Sequence, residues 1–341
     1  MFYPNQTPHI LIVRPDRIGD VVLSTGIPRE IKKAYPGAKV GVLVRDYTRE
    51  IFLHNPNVDY ILSKDELLPA GKLTLSSIKK LCQFRFDISL TLLPEEKLNY
   101  LLFFSGIRLR IGVGHKFYQF ITNVKSVYRR KYIPMRHEAD FCIDTLRKLG
   151  VPAPDFTPEI FLSEQQKIDL SKKKKKIAGN KPIIGVHITS GGSAPNWQPE
   201  YYYELLNQLL SDGRFCVLVT DNKLPDNFPF GGEVLTPNVG ISLNESLLNF
   251  AMTDILVSAS TGPMHICGGL GVDTISLFCP LPACSPELWS ALGNKAVNML
   301  PSDGYCQTKC PGDPKICDFS GEGGITPKQV YNKILAKTFK I

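Results

Sequence analysis

Three short stretches of the sequence carry residues whose types and spacing could do chemistry. The first, RPDRIGD, follows an apolar run and places Asp20 directly after Gly19, at the start of an expected helix. An acid in the first turn of a helix is common for structural reasons, because it accepts a backbone hydrogen bond and complements the helix dipole. The chemical alternative is a general base, with a carboxylate that the dipole keeps ionised at low pKa. Arg14 and Arg17 could then hold a phosphate or carboxylate of the substrate.

The second stretch is SASTGPMHICGGLG, at residues 258–271. Ser260 and Thr261 can cap a helix that begins near Gly262, and a helix start with exposed N–H groups next to hydroxyls suits a phosphate. The stretch is neither a Walker loop nor GxGxxG, so a dehydrogenase is not expected. His265 falls in the first turn, where a histidine is more often packed or capping. Next to a bound phosphate it could also donate a hydrogen bond to a leaving group.

The third stretch is GVHITSGGSAPNWQPEYYYELL, at residues 185–206. A strand leads into the small residues Thr189, Ser190 and Gly191, and a helix opens after Trp197, an arrangement suited to anion binding. A flexible connection between strand and helix is the plainer interpretation. Each loop alone is weak evidence, whereas two such loops in one half and an acid in the other form a coherent set.

The elements that must position these stretches follow from the alternation of apolar runs and amphipathic segments, which is typical of α/β units around a parallel sheet. Strands are predicted at 9–13, 39–44, 58–62, 86–92, 109–113, 182–188, 215–220, 254–260 and 273–279, and the main helices at 21–35, 138–149, 199–210, 246–251 and 327–340. This count predicts two Rossmann-like halves that face each other across a cleft. Ligands of open α/β sheets bind beyond the carboxyl ends of the strands, where all three stretches fall.

Length and composition describe an ordinary globular protein, with 341 residues, 43% hydrophobic and 21% charged. No apolar run is long enough to span a membrane, and the first residues lack the basic region of a signal peptide, so we expect a cytoplasmic protein. Among the nine cysteines, Cys306, Cys310 and Cys317 cluster late in the chain. They could hold zinc with Cys279 or Cys284, but their spacing matches no standard zinc pair, which favours a structural loop. We therefore predict no metal site.

Charge is concentrated in one block, residues 108–136, which contains eight Lys or Arg and no acid. Such a block is either a solvated face or a contact for an anionic partner, and its interleaved aromatic residues would also suit stacking on bases. An anionic-lipid or nucleic-acid binding protein is thus an alternative to an enzyme.

The quoted stretches, together with RHEADFCIDTLRKLG and the order in which they occur from about residue 10 to 335, resemble glycosyltransferase family 9, the ADP-heptose:lipopolysaccharide heptosyltransferases. The resemblance implies an α/β protein of GT-B fold. It has an acceptor-binding half at residues 1–165 and a nucleotide-sugar-binding half at residues 166–325. A C-terminal helix at 326–341 is expected to pack back on the first half.

The resemblance also implies an inverting, metal-independent transfer of heptose from ADP-heptose to a lipid A–Kdo type acceptor, with no cofactor. Asp20 takes the role of the general base. The two small-residue loops are expected to bind the donor diphosphate (Thr189, Ser190, Gly191, Ser260, Thr261, Gly262 and His265). Basic residues are expected to bind the acceptor (Arg14, Arg17, Arg129, Arg130 and Arg136). The expected partners are the nucleotide sugar, an anionic lipid-linked oligosaccharide and the inner-membrane surface as a peripheral contact, with no nucleic acid.

Two departures from the family pattern bear on the donor. Ser260 stands where the family usually has Asp, and the loop before Trp197 lacks the usual Lys or Arg. We expect another basic side chain, such as Lys223 or Arg17, to substitute for it. The alternatives are a different nucleotide-sugar donor, such as a UDP- or GDP-sugar, and weak binding of the donor.

Overall fold

The computed structural model describes residues 7–130, 132–192, 194–310 and 312–339. The chain divides into two compact units, Met1–Phe161 and Leu162–Ile341. The division lies close to the boundary expected between residues 165 and 166. Each unit is built on its own parallel sheet, so the predicted α/β class with two Rossmann-like halves is confirmed.

The first unit contains a six-stranded parallel sheet in the order β3-β2-β1-β4-β5-β6. Its strands are β1 His9–Val13, β2 Lys39–Val44, β3 Tyr60–Ser63, β4 Ile88–Thr91, β5 Leu109–Val113 and β6 Lys125–Val127. Its helices are α1 Ile18–Val22, α2 Ile27–Ala34, α3 Lys64–Leu67, α4 Leu75–Cys82, α5 Glu96–Phe104, α6 Phe117–Ile121, α7 Glu138–Cys142 and α8 Asp144–Leu149, with 3₁₀ turns at Asp46–Phe52 and Pro69–Gly71. β1 lies in the middle of the sheet, so the residue that follows it leaves the core at the carboxyl edge.

The second unit contains a five-stranded parallel sheet in the order β11-β10-β9-β7-β8. Its strands are β7 Ile183–Val186, β8 Cys216–Val219, β9 Ile255–Ala259, β10 Asp273–Leu277 and β11 Ala296–Met299. Its helices are α9 Glu164–Ala178, α10 Pro199–Asp212, α11 Leu243–Met252, α12 Gly262–Leu270, α13 Pro286–Trp289, α14 Tyr305–Thr308 and α15 Pro327–Phe339, with a 3₁₀ turn at Pro282–Cys284.

The last helix, α15, belongs to the core of the second unit. Val330 and Ile334 are fully buried there with residues of α10, and Tyr331 donates a hydrogen bond to Asp212. This helix was expected to pack on the first half, whereas its buried face is occupied within the second unit.

The helix expected at 21–35 is two helices, because the segment between α1 and α2 forms consecutive turns with i→i−3 hydrogen bonds. The hydroxyls of Ser24 and Thr25 donate to the carbonyls of Val21 and Val22, each at 2.7 Å. Such bonds compete with the backbone ladder of a helix, and Pro28 cannot donate to it. α1 also begins earlier than predicted, at Ile18, so Asp20 lies inside its first turn.

No helix in the described parts of the chain combines the length and apolar character needed to cross a membrane.

Candidate functional site

Asp20 lies at the carboxyl end of β1, where Arg14 holds it. The guanidinium of Arg14 is 3% exposed and donates from Nη2 to Oδ1 of Asp20 at 2.7 Å. The same nitrogen donates to Oε1 of Glu138 at 3.3 Å, and Nη1 donates to the carbonyl of Leu92. The Asp20 carboxylate is therefore fixed by a buried cation that it shares with a second acid, while one-fifth of its side chain stays exposed.

Burial raises the pKa of Asp20 to about 6, although Arg14 acts in the opposite direction. Asp16 and Glu138 raise it further by charge repulsion. The low pKa expected from the helix dipole is wrong, because α1 has only five residues and the desolvation of the carboxylate dominates. A carboxylate with a pKa near 6 is ionised at neutral pH and is more basic than a solvated aspartate, as a general base should be.

Glu138 connects Asp20 to the basic block. It begins α7, is buried, and pairs with Arg129 as well as with Arg14. The guanidinium of Arg129 also lies 4.3 Å from the centre of the Phe141 ring. Arg129 is thus a structural partner of the acid network, and its expected contact with an acceptor is not supported by its geometry.

Arg136 also pairs with side chains of its own unit. It donates to Asp140 at 3.1 Å and to Asp144 at 2.6 Å, and it stacks over Phe141 at 4.2 Å. Among the five basic residues predicted to bind an acceptor, Arg14, Arg129 and Arg136 are paired inside the unit. Arg17 and Arg130 are exposed, and within the described ranges neither forms an ion pair. Lys131 lies outside the described residues.

The loop after β7 is anchored by a buried acid, Asp221, which follows β8. The backbone N–H groups of Ile188 and Thr189 donate to its two carboxylate oxygens at 2.9 and 2.8 Å, and the Thr189 hydroxyl donates at 2.6 Å. His187 lies beside it, with Nε2 at 3.6 Å from Oδ1. Burial lowers the pKa of His187 even though Asp221 opposes the shift. Asp221 thereby fixes the position at which the small-residue loop leaves the sheet.

The far end of the same loop is tied to the core by Asn196 and Trp197. Asn196 donates to the carbonyl of Ile188 at 2.8 Å, and Trp197 donates from Nε1 to the carbonyl of Ile325 at 2.8 Å. Between these anchors, Gly191 has no heavy atom within 4 Å of an added Cβ. The loop is thus held at both ends and open in the middle.

A pocket of about 300 Å³ opens beside this loop. Its described lining is formed by Ile188, Thr189, Ser190, Gly192, Ala194, Asn196, Trp197, Gln198, Pro199, Pro225, Lys315, Ile316 and Cys317. Lys223, expected to replace the missing loop lysine, is not part of that lining, whereas Lys315 is.

The second small-residue loop joins β9 to α12. Thr261 occupies the N-cap position, but its hydroxyl donates to the carbonyl of Ala259 at 3.3 Å and does not cap the helix. Thr261 therefore does not make the hydrogen bond by which it was expected to cap α12. Ser260 and Gly262 flank it, both half-buried. His265 is 4% exposed, and its ring packs edge-on against Trp289 at 6.4 Å. Helix α12 then comes so close to the backbone at Leu292 that a Cβ on Gly268 would meet its carbonyl oxygen at 2.6 Å.

All nine cysteines are free thiols. The thiol of Cys306 interacts with those of Cys279 and Cys310, and Cys310 interacts with Cys317, whose pKa burial raises to about 11. In the described ranges, no group of three or more Cys, His, Asp or Glu side chains has the arrangement of a metal site.

Three residues of the candidate site were not predicted from the sequence, namely Glu138, Asp221 and Lys315. Asp221 had a usable signal, because it directly follows an apolar strand. Glu138 had a weaker one, as the first acid after the basic block. Lys315 had none, since nothing in its neighbours along the chain connects it to the loop after β7.

Two units that each contain a parallel sheet are typical of GT-B glycosyltransferases, and the two small-residue loops follow strands β7 and β9 of the second unit. Comparison with known proteins gives the family. Residues 74–312 match the family described as Glycosyltransferase family 9 (heptosyltransferase). The chain belongs to glycosyltransferase family 9 and is an enzyme of glycosyl transfer.

Individual relatives agree with this assignment. A protein of Haemophilus influenzae named "Putative glycosyltransferase" is 23% identical over 84% of this chain and 86% of its own length. Lipopolysaccharide heptosyltransferase 2 of Escherichia coli is 24% identical over 96% of this chain and 97% of its own length. The solved E. coli ADP-heptose lps heptosyltransferase II has a TM-score of 0.72 at 21% identity, and the match covers 97% of this chain and 99% of that one. At this identity the structural likeness establishes the fold.

Proposed function

We propose that the protein transfers heptose from ADP-heptose to a lipid A–Kdo type acceptor of the lipopolysaccharide inner core, with inversion and without a metal ion. The observation that carries this proposal is the Asp20 carboxylate. It lies in the first turn of the helix that follows the central strand β1, has a pKa raised to about 6, and is oriented by a buried arginine while remaining partly exposed. The proposed donor and acceptor come from the names of similar proteins. One is an ADP-heptose lps heptosyltransferase, and another is a lipopolysaccharide heptosyltransferase.

In the proposed reaction, Asp20 removes the proton of an acceptor hydroxyl as its oxygen attacks the anomeric carbon of the heptose. The bond from that carbon to the diphosphate oxygen breaks on the opposite side, so the configuration inverts. ADP departs with the bonding electron pair, and the proton stays on Asp20 until solvent removes it. A base on one face and a stabilised leaving group on the other are what such a displacement requires.

The second unit would bind the donor. We assign the diphosphate to the loop after β7 (Thr189, Ser190 and Gly191) and to the start of α12 (Ser260, Thr261, Gly262 and His265). Support comes from the anchored loop, its adjoining pocket, and a helix start whose N-cap hydroxyl is turned to Ala259 and leaves backbone N–H groups uncapped. Backbone N–H groups at such a start stabilise a phosphate.

Acceptor binding is proposed for Arg17 and Arg130, the two exposed members of the predicted set. Arg14 and Arg129 are proposed to position Asp20 and Glu138 instead, since both pair with the buried Glu138. Arg136 is proposed to hold Asp140 and Asp144. Guanidinium groups match phosphates and carboxylates of the kind that a lipid A–Kdo acceptor carries.

Peripheral contact with the cytoplasmic membrane surface is also proposed, and an apolar face formed by α5 and α6 supports it. Its members are exposed side chains of both helices (Phe103, Phe104, Phe117, Phe120 and Ile121). Phe117 is 77% and Phe120 is 83% exposed, far more than a soluble surface normally leaves to large aromatics. Asn99 joins the two helices by donating to Tyr118 and Thr122.

Charge around this α5–α6 face favours an anionic bilayer as its partner. No Asp or Glu occurs between Lys97 and His137, and Arg108, Lys116 and Lys125 are exposed within that interval. Aromatic side chains entering the lipid boundary and cations around them are the combination that binds anionic membranes.

The test of the function is transfer itself. Purified protein is incubated with ADP-heptose and a Kdo-bearing lipid A acceptor in chelator, in parallel with UDP- and GDP-sugars. Transfer from ADP-heptose alone, insensitive to the chelator, is the expected result. Transfer from another nucleotide sugar, or dependence on a divalent ion, would replace the proposed donor or mechanism.

A further inference from the structure

The pocket beside the loop after β7 contains a single charged side chain among its described lining residues, and that residue is Lys315. The rest of the lining is apolar or neutral, with the Thr189 and Ser190 hydroxyls on one side. Lys315 itself is exposed, and no carboxylate in the described ranges forms an ion pair with it. A lone cation in a neutral pocket attracts an anion more strongly than a cation that is already paired.

Lys315 is presented by a short, well-anchored turn. The backbone N–H of Lys315 donates to Oδ1 of Asp313 at 2.8 Å, and the N–H of Cys317 donates to the carbonyl of Asp313 at 3.1 Å. Cys317 is 5% exposed and belongs to the core of the second unit. The turn therefore fixes the backbone from which the lysine side chain reaches the pocket.

We propose that Lys315 binds the diphosphate of the donor and replaces the basic residue that is missing from the loop before Trp197. This inference rests on the proposed function, because it names a donor contact of that same site. The loop that would ordinarily contribute the cation reads Ser-Ala-Pro-Asn, so its own side chains offer no positive charge. Neither of the residues first expected to substitute, Lys223 and Arg17, lines the pocket.

A diphosphate makes a consistent partner for this arrangement. The leaving group gains negative charge as the bond to the sugar breaks, and an ammonium group at the pocket rim stabilises it without any metal ion. The Thr189 hydroxyl is already used by Asp221, which leaves its oxygen free only as an acceptor. The diphosphate of a nucleotide sugar is a diester and carries no proton at neutral pH, so the attraction for the anion must come from the Ser190 hydroxyl, backbone N–H groups and the lysine.

The experiment measures nucleotide affinity directly, by calorimetry with ADP, and compares Lys315→Gln and Lys315→Arg with wild type. Lys309→Gln is the matched control, since Lys309 is exposed on the same segment and does not line the pocket. We expect Lys315→Gln to weaken ADP binding by about tenfold to a hundredfold, the usual effect of losing a hydrogen bond to a charged group. Lys315→Arg should retain most of the affinity, and adenosine binding should be equal in all four proteins.

The inference is overturned if Lys315→Gln binds ADP within about twofold of wild type, or if Lys309→Gln is weakened as much. If wild type prefers UDP or GDP, the proposed donor fails, and the same comparison with that nucleotide decides the role of Lys315. If wild type binds no nucleoside diphosphate, both proposals fail. Thermal unfolding of each variant checks that the substitutions leave the fold intact.

Discussion

Replacing Glu138 by glutamine would remove one of the two carboxylates that share the guanidinium of Arg14. Asp20 accepts from Nη2 of that arginine at 2.7 Å and Glu138 accepts from the same atom at 3.3 Å. Glutamine has nearly the same shape but no charge. The substitution therefore lowers the pKa of Asp20 for two reasons: a neighbouring negative charge disappears, and Arg14 is left to neutralise Asp20 alone.

The size of the shift follows from the geometry. The two acceptor oxygens cannot be farther apart than both distances laid end to end, about 6 Å, so removing the charge is worth about 3 kcal/mol at an effective dielectric constant of about 20. That energy corresponds to about 2 pKa units. Because Asp20 is 20% exposed and solvent screens the interaction, we expect about half of this, roughly one unit.

The assay is the pH profile of kcat/KM for transfer, whose acid limb reports the essential base of the free enzyme. A base acts only when deprotonated, so wild-type activity should fall as the pH drops below about 6. For Glu138→Gln the fall should begin near pH 5, about one unit lower. Glu164→Gln, which removes an acid that is 86% exposed in the other unit, should leave the limb where it is. An unshifted limb in Glu138→Gln would refute the assignment of that limb to Asp20.

Two further predictions concern packing and the membrane. Gly268→Ala should lower the free energy of unfolding by about 1–3 kcal/mol in a denaturant titration, because its Cβ would meet the Leu292 carbonyl oxygen at 2.6 Å. Gly191→Ala is the control and should cost far less, since the space around Gly191 is open. Equal stabilities of the two variants would contradict the packing of α12. Phe117→Ser combined with Phe120→Ser should reduce sedimentation with phosphatidylglycerol-containing vesicles by about tenfold or more, since each loses an aromatic group that could enter the lipid. Ile168→Ser, at a 52% exposed position of the second unit, is the control. Unchanged vesicle binding by the double variant would oppose the proposed membrane contact, and so would preferential binding of the protein to nucleic acid.

Strands in the middle of each sheet could be predicted from the sequence, because both of their faces are buried and their apolar runs are continuous. β1, β2 and β5 have the predicted bounds. The edge strands β6 and β11 were missed, since both are short and contain polar residues, two of three in β6 and one of four in β11. The break between α1 and α2 was missed for another reason: it depends on hydroxyl groups that bond back to the helix, which a hydrophobic period does not reveal.

The candidate site divides in the same way. The two small-residue loops could be located because each follows an apolar strand, and Asp20 because it lies in the helix that comes after β1. A parallel sheet collects such residues at its carboxyl edge. The pairing of Arg14 with Glu138 joins residues 124 positions apart, and the anchoring of Thr189 by Asp221 joins residues 32 apart. Those contacts are set by the packing of the sheet and its helices. For the same reason, the basic block looked like one binding surface in the sequence, although Arg129 and Arg136 are paired with acids of α7 and α8.

The most direct test of the account is single-turnover transfer by Asp20→Asn, with saturating ADP-heptose, in chelator and near pH 8. Asparagine keeps the shape and can still accept from Arg14, but it cannot remove a proton. We expect the rate of transfer to fall by about 10²–10⁴-fold while ADP binding stays at the wild-type level. Transfer by Asp20→Asn at a rate near that of wild type would contradict the claim that Asp20 is the general base.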